Sequence, residues 1–306
     1  MIVIVCPGQG SQTPGFLDPW LTEPRFRDQL TGISDAVGID LVAHGTVSDA
    51  DTIRDTAVAQ PLIVSAGLLT LSALFADGRR DRIGGIAGHS VGELTAAAGA
   101  GVLSETDAVA FVRERGAAMA AAAAQTPTGM SAVIGADETE LLAKLDELGL
   151  SPANYNGGGQ IVVAGALDAL AALSENPPAR ARVIPLQVAG AFHTRYMAPA
   201  VPALEEFAAT LATSDPTLPL WTNKDGSLVS SGAEFLRLLV GQVSSPVRWD
   251  LCMEAFQAAG VTGIVEVAPA GALVGLAKRG LKGIPSVAVK TPDDLPAAFE
   301  LIDQAA

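Results

Sequence analysis

Cysteine is nearly absent from this chain of 306 residues, and the glycine motifs that bind nucleotides are missing. The two cysteines, Cys6 and Cys252, form no Cys-x-x-Cys pair, so the sequence offers no disulfide framework and is typical of a reducing compartment. Three histidines are too few and too scattered for a zinc site. Thr13 stands where a dinucleotide fingerprint needs its third glycine, and no Gly-Lys-Ser/Thr occurs. We therefore predict no metal and no resident cofactor.

Basic residues are also few. The 19 Lys and Arg stand against 33 Asp and Glu, a formal net charge of −14 at pH 7, which argues against a nucleic-acid partner. The N-terminus has no basic region before its short apolar run, so we predict no signal peptide and a cytoplasmic location. The uncharged stretch 57–76 approaches the length of a membrane span. Because it contains Gln60 and Pro61, we interpret it as a buried core helix with Pro61 in the first turn.

Apolar residues are abundant, at 49% of the chain, and short apolar runs alternate with helical patterns. This alternation predicts an α/β fold with a parallel sheet. Within 128–190 the pattern becomes strand, helix, strand, strand, helix, strand, which is the ferredoxin-like order. We therefore predict a large α/β body, residues 1–127 and 191–306, and a small inserted ferredoxin-like subdomain, residues 128–190.

A Gly-x-Ser-x-Gly pattern stands at Gly88–Gly92, between an apolar run at 83–87 and helix formers at 93–98. Strand, pattern and helix in this order predict the nucleophile elbow of an α/β-hydrolase-like body, in which a tight turn exposes the Ser90 hydroxyl. The helix N-terminus beside it favours developing negative charge. The alternative is a serine that only caps the helix.

Arg115 is unusual because it shares the apolar stripe of a predicted helix, 104–124, with Phe111 and Met119. A buried guanidinium needs compensation. Two interpretations stay open, a structural ion pair and a bidentate clamp for a substrate carboxylate.

His193 follows the predicted insert and so lies at the junction of the two subdomains, where ligands commonly bind. A lone histidine is more often structural. In a chain that already offers an elbow serine, His193 is the candidate general base for Ser90.

Seven short motifs complete the pattern. They are Pro7–Gln12, Ala59–Pro61, Gly88–Glu93, Arg115–Gly116, Asn156–Gly157, Gly190–His193 and Pro246–Trp249. Each is weak alone, but together they cover essentially the whole chain. In order and spacing the sequence resembles the malonyl-coenzyme A:acyl carrier protein transacylases, relatives of the acyltransferase domains of polyketide synthases.

The resemblance implies a role for each matching residue. Ser90 would be the acylated nucleophile and His193 its base, oriented by the backbone carbonyl of Gln242 rather than by a carboxylate. The backbone N–H groups of Gln9 and Val91 would form the oxyanion hole.

The same resemblance implies the substrate contacts. Arg115 would bind the malonyl carboxylate, and Gln60 and Asn156 would also contact the substrate. The Phe192 ring would exclude a methyl branch on the acyl group, although pocket shape alone discriminates by only about 1–3 kcal/mol.

The implied reaction is a two-step transfer from malonyl-coenzyme A to the phosphopantetheine thiol of acyl carrier protein, for fatty acid or polyketide synthesis. Acyl carrier proteins are acidic, and Lys278, Arg279 and Lys282 form the one clear basic cluster, so this cluster is the candidate docking site. We further expect a monomer that does not bind a membrane.

Three alternatives remain. A serine esterase or thioesterase also uses an elbow serine, but no acid is evident between Ser90 and His193, and Arg115 is awkward for neutral esters. A malonyl transferase of a malonate decarboxylase would have nearly the same site. A non-catalytic protein that binds a carrier protein is the third.

Overall fold

A computed structural model describes residues 1–304 of the chain, and these residues form ten strands and twelve α-helices. The strands are β1 (Ile2–Cys6), β2 (Ile83–Gly88), β3 (Thr128–Ile134), β4 (Ser151–Gly157), β5 (Gln160–Ala166), β6 (Arg182–Pro185), β7 (Leu220–Trp221), β8 (Val247–Arg248), β9 (Gly263–Glu266) and β10 (Ser286–Ala288). The helices are α1 (Pro24–Val37), α2 (Leu41–Thr46), α3 (Thr56–Leu74), α4 (Gly92–Gly99), α5 (Glu105–Ala123), α6 (Glu138–Leu148), α7 (Leu167–Glu175), α8 (Val201–Ala208), α9 (Gly232–Gln242), α10 (Trp249–Ala258), α11 (Ala272–Gly280) and α12 (Leu295–Gln304).

The larger body is built on a parallel five-stranded sheet in the order β10-β9-β1-β2-β7. Every residue of β1 is buried, because its alternating side chains enter a different hydrophobic cluster on each face. Ile2 and Ile4 pack into one cluster, whereas Val3 and Val5 pack into the other. The predicted α/β fold with a parallel sheet is confirmed.

Helix α3 is the uncharged stretch of the sequence. It is long and apolar enough to cross a membrane by length and composition, but 83% of its most apolar window is buried inside the fold. The prediction that Pro61 stands in the first turn was wrong. The side chain of Asp55 accepts a hydrogen bond from the N–H of Ala57 at 2.8 Å and so starts the helix more than a turn earlier.

The smaller body has a second five-stranded sheet, in the order β6-β3-β5-β4-β8. Its first four strands pair antiparallel. Helix α6 connects β3 to β4 and helix α7 connects β5 to β6, which is the ferredoxin-like order. The fifth, β8, comes from the part of the chain assigned to the larger body and pairs parallel with β4. A strand of two residues carries no period that sequence reading could detect. The domain limits at residues 128 and 190 therefore stay a prediction.

Candidate active site

Ser90 lies in a tight turn between β2 and α4, with a φ of 54°. The turn depends on the two flanking glycines. A Cβ atom on Gly88 would lie 2.0 Å from the carbonyl carbon of Gly92, and a Cβ on Gly92 would lie 2.1 Å from the carbonyl oxygen of Cys6. Side chains at either position would therefore force the turn apart. The strand, turn and helix expected of a nucleophile elbow are present.

His193 contacts Ser90 directly, with 2.6 Å between its Nε2 and the serine Oγ. Its Nδ1 lies 2.9 Å from the carbonyl oxygen of Gln242, which can only accept, so the ring proton is on Nδ1 and Nε2 is free to accept the serine proton. Burial, and secondarily the charge of Arg115, lowers the pKa of His193 to about 3. The imidazole is therefore neutral at pH 7 and able to act as a base.

The oxyanion-hole prediction concerns two backbone N–H groups, those of Gln9 and Val91. Gln9 and Val91 line the same cavity as Ser90. Neither N–H has an acceptor among residues 1–304, and the side chain of Gln9 turns away to the carbonyl oxygen of Arg54 at 3.2 Å. Both groups are thus free to donate to a developing oxyanion.

Arg115 is 1% exposed and projects from α5 toward the catalytic pair. Its guanidinium donates to Oε1 of Gln60 at 2.6 Å and to Oε1 of Gln242 at 2.7 Å. It forms no salt bridge within the described part of the chain. Against the lowering effect of burial, Glu93 raises the pKa of Arg115 through its charge, without a direct contact. Of the two interpretations, these contacts favour the carboxylate clamp over the structural ion pair.

A cavity of about 370 Å³ joins these groups at the boundary of the two sheets. The elbow and the loop after β1 contribute one wall, the small sheet another and α11 a third. It lies beyond the carboxyl ends of β1 and β2, where parallel sheets generally bind ligands. Phe192, 6% exposed, forms part of the wall. Asn156 also lines it, and its Oδ1 lies 2.9 Å from Nε2 of His89.

Residues 3–292 match the model of the acyl transferase domain family. The chain belongs to this family. It is 53% identical over 299 residues to the malonyl CoA-acyl carrier protein transacylase of Mycobacterium tuberculosis (strain H37Rv), with 96% of this chain and 98% of that one covered.

Solved structures of the acyl transferase family agree with this assignment. The crystal structure of MCAT from Mycobacterium tuberculosis superposes with a TM-score of 0.94 at 52% identity, covering 97% of this chain and 99% of that chain. A malonyl-transacylase in complex with a type II polyketide synthase acyl-carrier protein superposes with a TM-score of 0.92 at 29% identity, covering 98% and 99%. The resemblance drawn from the motifs is confirmed.

The acyltransferase fold brings together most of the residues that the sequence singled out. The cavity is lined by Gln9, Gln60, Ser90, Val91, Asn156, Phe192, His193 and Arg279. Gln242 and Arg115 lie behind this wall and contact it through hydrogen bonds. Lys278 and Lys282 are exposed and, in the structure as described, do not line the cavity.

Sequence reading missed Asn223, which supports the elbow. Its Oδ1 accepts the N–H of Ser90 at 2.7 Å, and its Nδ2 donates to the carbonyl oxygen of Gly88 at 2.7 Å. These two bonds tie the main chain of the turn on both sides of His89, and Asn223 is not among the described residues that line the catalytic cavity. Asn223 follows β7 in a Thr-Asn-Lys-Asp-Gly run that reads as an ordinary turn. The one feature that could have pointed to Asn223 is its place just after a strand that lies beside β2.

Proposed function

We propose that this chain transfers the malonyl group of malonyl-coenzyme A to the phosphopantetheine thiol of an acyl carrier protein through a malonyl ester on Ser90. The observation that carries the proposal is the 2.6 Å contact of Ser90 with a buried, neutral His193, in a cavity backed by the buried cation Arg115. The relatives named as malonyl transacylases support the same donor and acceptor. The product serves fatty acid or polyketide synthesis.

In the first step, Nε2 of His193 takes the proton from Oγ of Ser90 as the oxygen attacks the thioester carbonyl. The free N–H groups of Gln9 and Val91 stabilise the oxyanion. The carbon–sulfur bond then breaks, and the proton on His193 goes to the departing coenzyme A thiolate. In the second step the phosphopantetheine thiol gives its proton to His193 and attacks the malonyl ester, and that proton returns to Oγ of Ser90.

The negative charge of the malonyl group selects this substrate. Arg115 stands just behind the cavity wall, and Gln60, which accepts one of its hydrogen bonds, is part of that wall. The carboxylate therefore reaches the guanidinium by displacing Gln60 from that contact. An exchange of a neutral amide oxygen for a charged one is favourable at a buried cation.

The apolar lining of the cavity limits hydrolysis of the ester. The wall includes Met119, Met130, Val162 and Leu186, which offer water no hydrogen bonds. A thiol on a long flexible arm can enter such a cavity, whereas water gains little from this apolar part of the wall.

We assign the docking of the acidic carrier protein to the basic cluster Lys278, Arg279 and Lys282. All three are exposed, and none is in a salt bridge within residues 1–304. Lys278 and Arg279 are in the last turn of α11, whose first turns line the cavity, so a carrier protein bound here would face the cavity mouth. We also expect a cytoplasmic monomer without a resident cofactor.

Charge reversal tests the docking surface. In the double variant Lys278→Glu/Lys282→Glu, discharge of the malonyl enzyme by carrier protein should slow, most strongly at low ionic strength. Acylation by malonyl-coenzyme A should be unchanged. Lys144→Glu on α6 is the control for a charge reversal elsewhere on the surface, with half the change in net charge. Equal loss in both half-reactions would show that the cluster is not a carrier-protein surface.

Intact-protein mass spectrometry tests the reaction itself. The protein is mixed with malonyl-, acetyl- or methylmalonyl-coenzyme A, and the adduct is mapped to a residue and then offered to carrier protein. We expect a malonyl adduct on Ser90 that carrier protein discharges, and none in Ser90→Ala. Release of free coenzyme A without an adduct would indicate a thioesterase. No adduct and no turnover would indicate a binding protein.

A further inference from the structure

Gln242 takes part in both halves of the site. Its main-chain oxygen accepts from Nδ1 of His193 at 2.9 Å, and its side-chain Oε1 accepts from Nη2 of Arg115 at 2.7 Å. The second contact depends on which way the amide faces. Turned by half a rotation, the amide would present its NH₂ to a guanidinium that can only donate. Some neighbour must therefore set the orientation of this amide.

Glu93 is the neighbour that meets the other end of the amide. The Nε2 of Gln242 donates to Oε2 of Glu93, and more weakly to the carbonyl oxygen of Ser90 at 3.1 Å. The Oε1 of Glu93 accepts the main-chain N–H of Asn223 at 2.6 Å. Glu93 is 1% exposed, so solvent has little access to these bonds. Its carboxyl is held between two donors.

Glu93 keeps this function in either protonation state. Burial raises its pKa to about 8, and bonds from Asn223 and Gln242 oppose that rise. A carboxylate has acceptor positions on both oxygens, and a carboxylic acid also retains a lone pair on each. Both neighbouring donors are satisfied in both states. A side chain with one acceptor and one donor could not satisfy them.

Glu93 acts without touching the substrate. Of the residues described, it is not among those that line the catalytic cavity. It lines a separate cavity of about 450 Å³ on the opposite side of Gln242, together with Lys224 and Arg248. The hydrogen bond to Gln242 is therefore the contact that links Glu93 to the guanidinium of Arg115, beside the through-space effect of its charge.

We propose that Glu93 is a positioning residue for substrate selection: by holding the Gln242 amide in one orientation, it keeps Arg115 oriented to bind the malonyl carboxylate. The inference rests on the proposed function, because it concerns the acyl group that Ser90 accepts. It assigns a role to the last residue of the Gly-His-Ser-Val-Gly-Glu motif, which the two-step mechanism leaves unused.

Glu93→Gln tests this role because the new side chain has the same shape but only one acceptor. The main-chain N–H of Asn223 cannot turn, so the oxygen of the new amide stays with it. Its NH₂ then faces the NH₂ of Gln242, and the Gln242 amide turns over. Arg115 loses one of its two acceptors and meets a donor instead. The guanidinium is displaced from its place behind the cavity.

We expect acylation by malonyl-coenzyme A to fall by about 10- to 100-fold in kcat/KM, as for a lost hydrogen bond to a charged group. Acylation by acetyl-coenzyme A, which has no carboxylate, should change by less than about threefold. Glu93→Asp keeps two acceptor oxygens and should retain a malonyl-to-acetyl ratio near that of the unmodified protein. In an Arg115→Met background, Glu93→Gln should have almost no further effect on the malonyl reaction.

The outcomes separate this inference from the proposed function. If the unmodified protein forms no malonyl adduct on Ser90, the proposed function is wrong. If it does, and Glu93→Gln lowers malonyl and acetyl transfer equally, Glu93 only supports the fold and the inference is wrong. Additive effects of the Glu93 and Arg115 changes would overturn it in the same way.

A second variant decides the matter if Glu93→Gln does not fold. In the exchange Glu93→Gln/Gln242→Glu, the new amide at position 93 donates to the new carboxylate at position 242. That carboxylate can also accept from Arg115. We expect the exchanged protein to fold cooperatively where Glu93→Gln does not. An exchanged protein that is no more stable would show that amide orientation is not what Glu93 controls.

Discussion

Replacing Arg115 by methionine removes the charge and the donors of the guanidinium while keeping most of its length. The side chain is 1% exposed and donates to two neutral amide oxygens, those of Gln60 and Gln242. No carboxylate among residues 1–304 contacts the Arg115 guanidinium directly, so a bound substrate would supply its anionic partner. One hydrogen bond to a charged group contributes about 1.5–3 kcal/mol, which corresponds to about 10- to 160-fold in kcat/KM.

The loss should be confined to substrates with a carboxylate. Acetyl-coenzyme A makes no use of the guanidinium, so its kcat/KM should stay within about threefold in Arg115→Met. Without the guanidinium, the side-chain oxygens of Gln60 and Gln242 also lose their donor. This loss should lower the free energy of unfolding by about 1–3 kcal/mol. Thermal unfolding measures that cost separately from the kinetic effect.

The assay is single-turnover acylation of Ser90, followed by intact mass with malonyl- and acetyl-coenzyme A in parallel. Arg113→Met is the matched control, since Arg113 lies on the same helix but pairs with Glu114 on the surface. It should leave both rates unchanged. Equal losses of the malonyl and acetyl reactions in Arg115→Met would refute the reasoning and make Arg115 a structural residue.

Two further predictions concern the base and the cavity wall. Because the pKa of His193 is lowered to about 3 from the ordinary 6.5, the base stays neutral as pH falls, and the acid limb of single-turnover acylation should lie well below 6.5. In Arg115→Met that limb should move to higher pH, since a repelling charge is gone; an unmoved limb would contradict this coupling. Phe192→Ser should admit methylmalonyl-coenzyme A, gaining up to about 100-fold in relative kcat/KM. Unchanged selectivity in parallel acylation assays would place the selective wall elsewhere.

Features with local causes could be predicted from the sequence. The elbow at Ser90 is specified by the flanking glycines Gly88 and Gly92 and by the strand and helix on either side, all within residues 83–99. The ferredoxin-like order of the small sheet follows from successive runs with clear periods. Pro61 was placed wrongly, because proline is commonest in the first turn of a helix, whereas the Asp55 cap begins α3 five residues before it.

Contacts between distant parts of the chain could not be read in this way. The motif resemblance pointed to Gln242 as the partner of His193, but spacing alone had not identified it, because any of many carbonyl oxygens could serve. Asn223 was missed altogether. It meets Ser90 across 133 positions of sequence, and its neighbours there resemble those of any surface turn.

By itself, the sequence determined the family, the elbow serine, the candidate base and the presence of an arginine on an apolar helix face. Each follows from residue identity and short-range spacing. Only the tertiary structure decided what surrounds Arg115: two amide oxygens and no directly bound carboxylate within residues 1–304. It also decided that Glu93 holds the amide of Gln242, 149 positions away. Hydrogen bonds are short and directional, so they depend on how helices and loops pack, which local pattern does not encode.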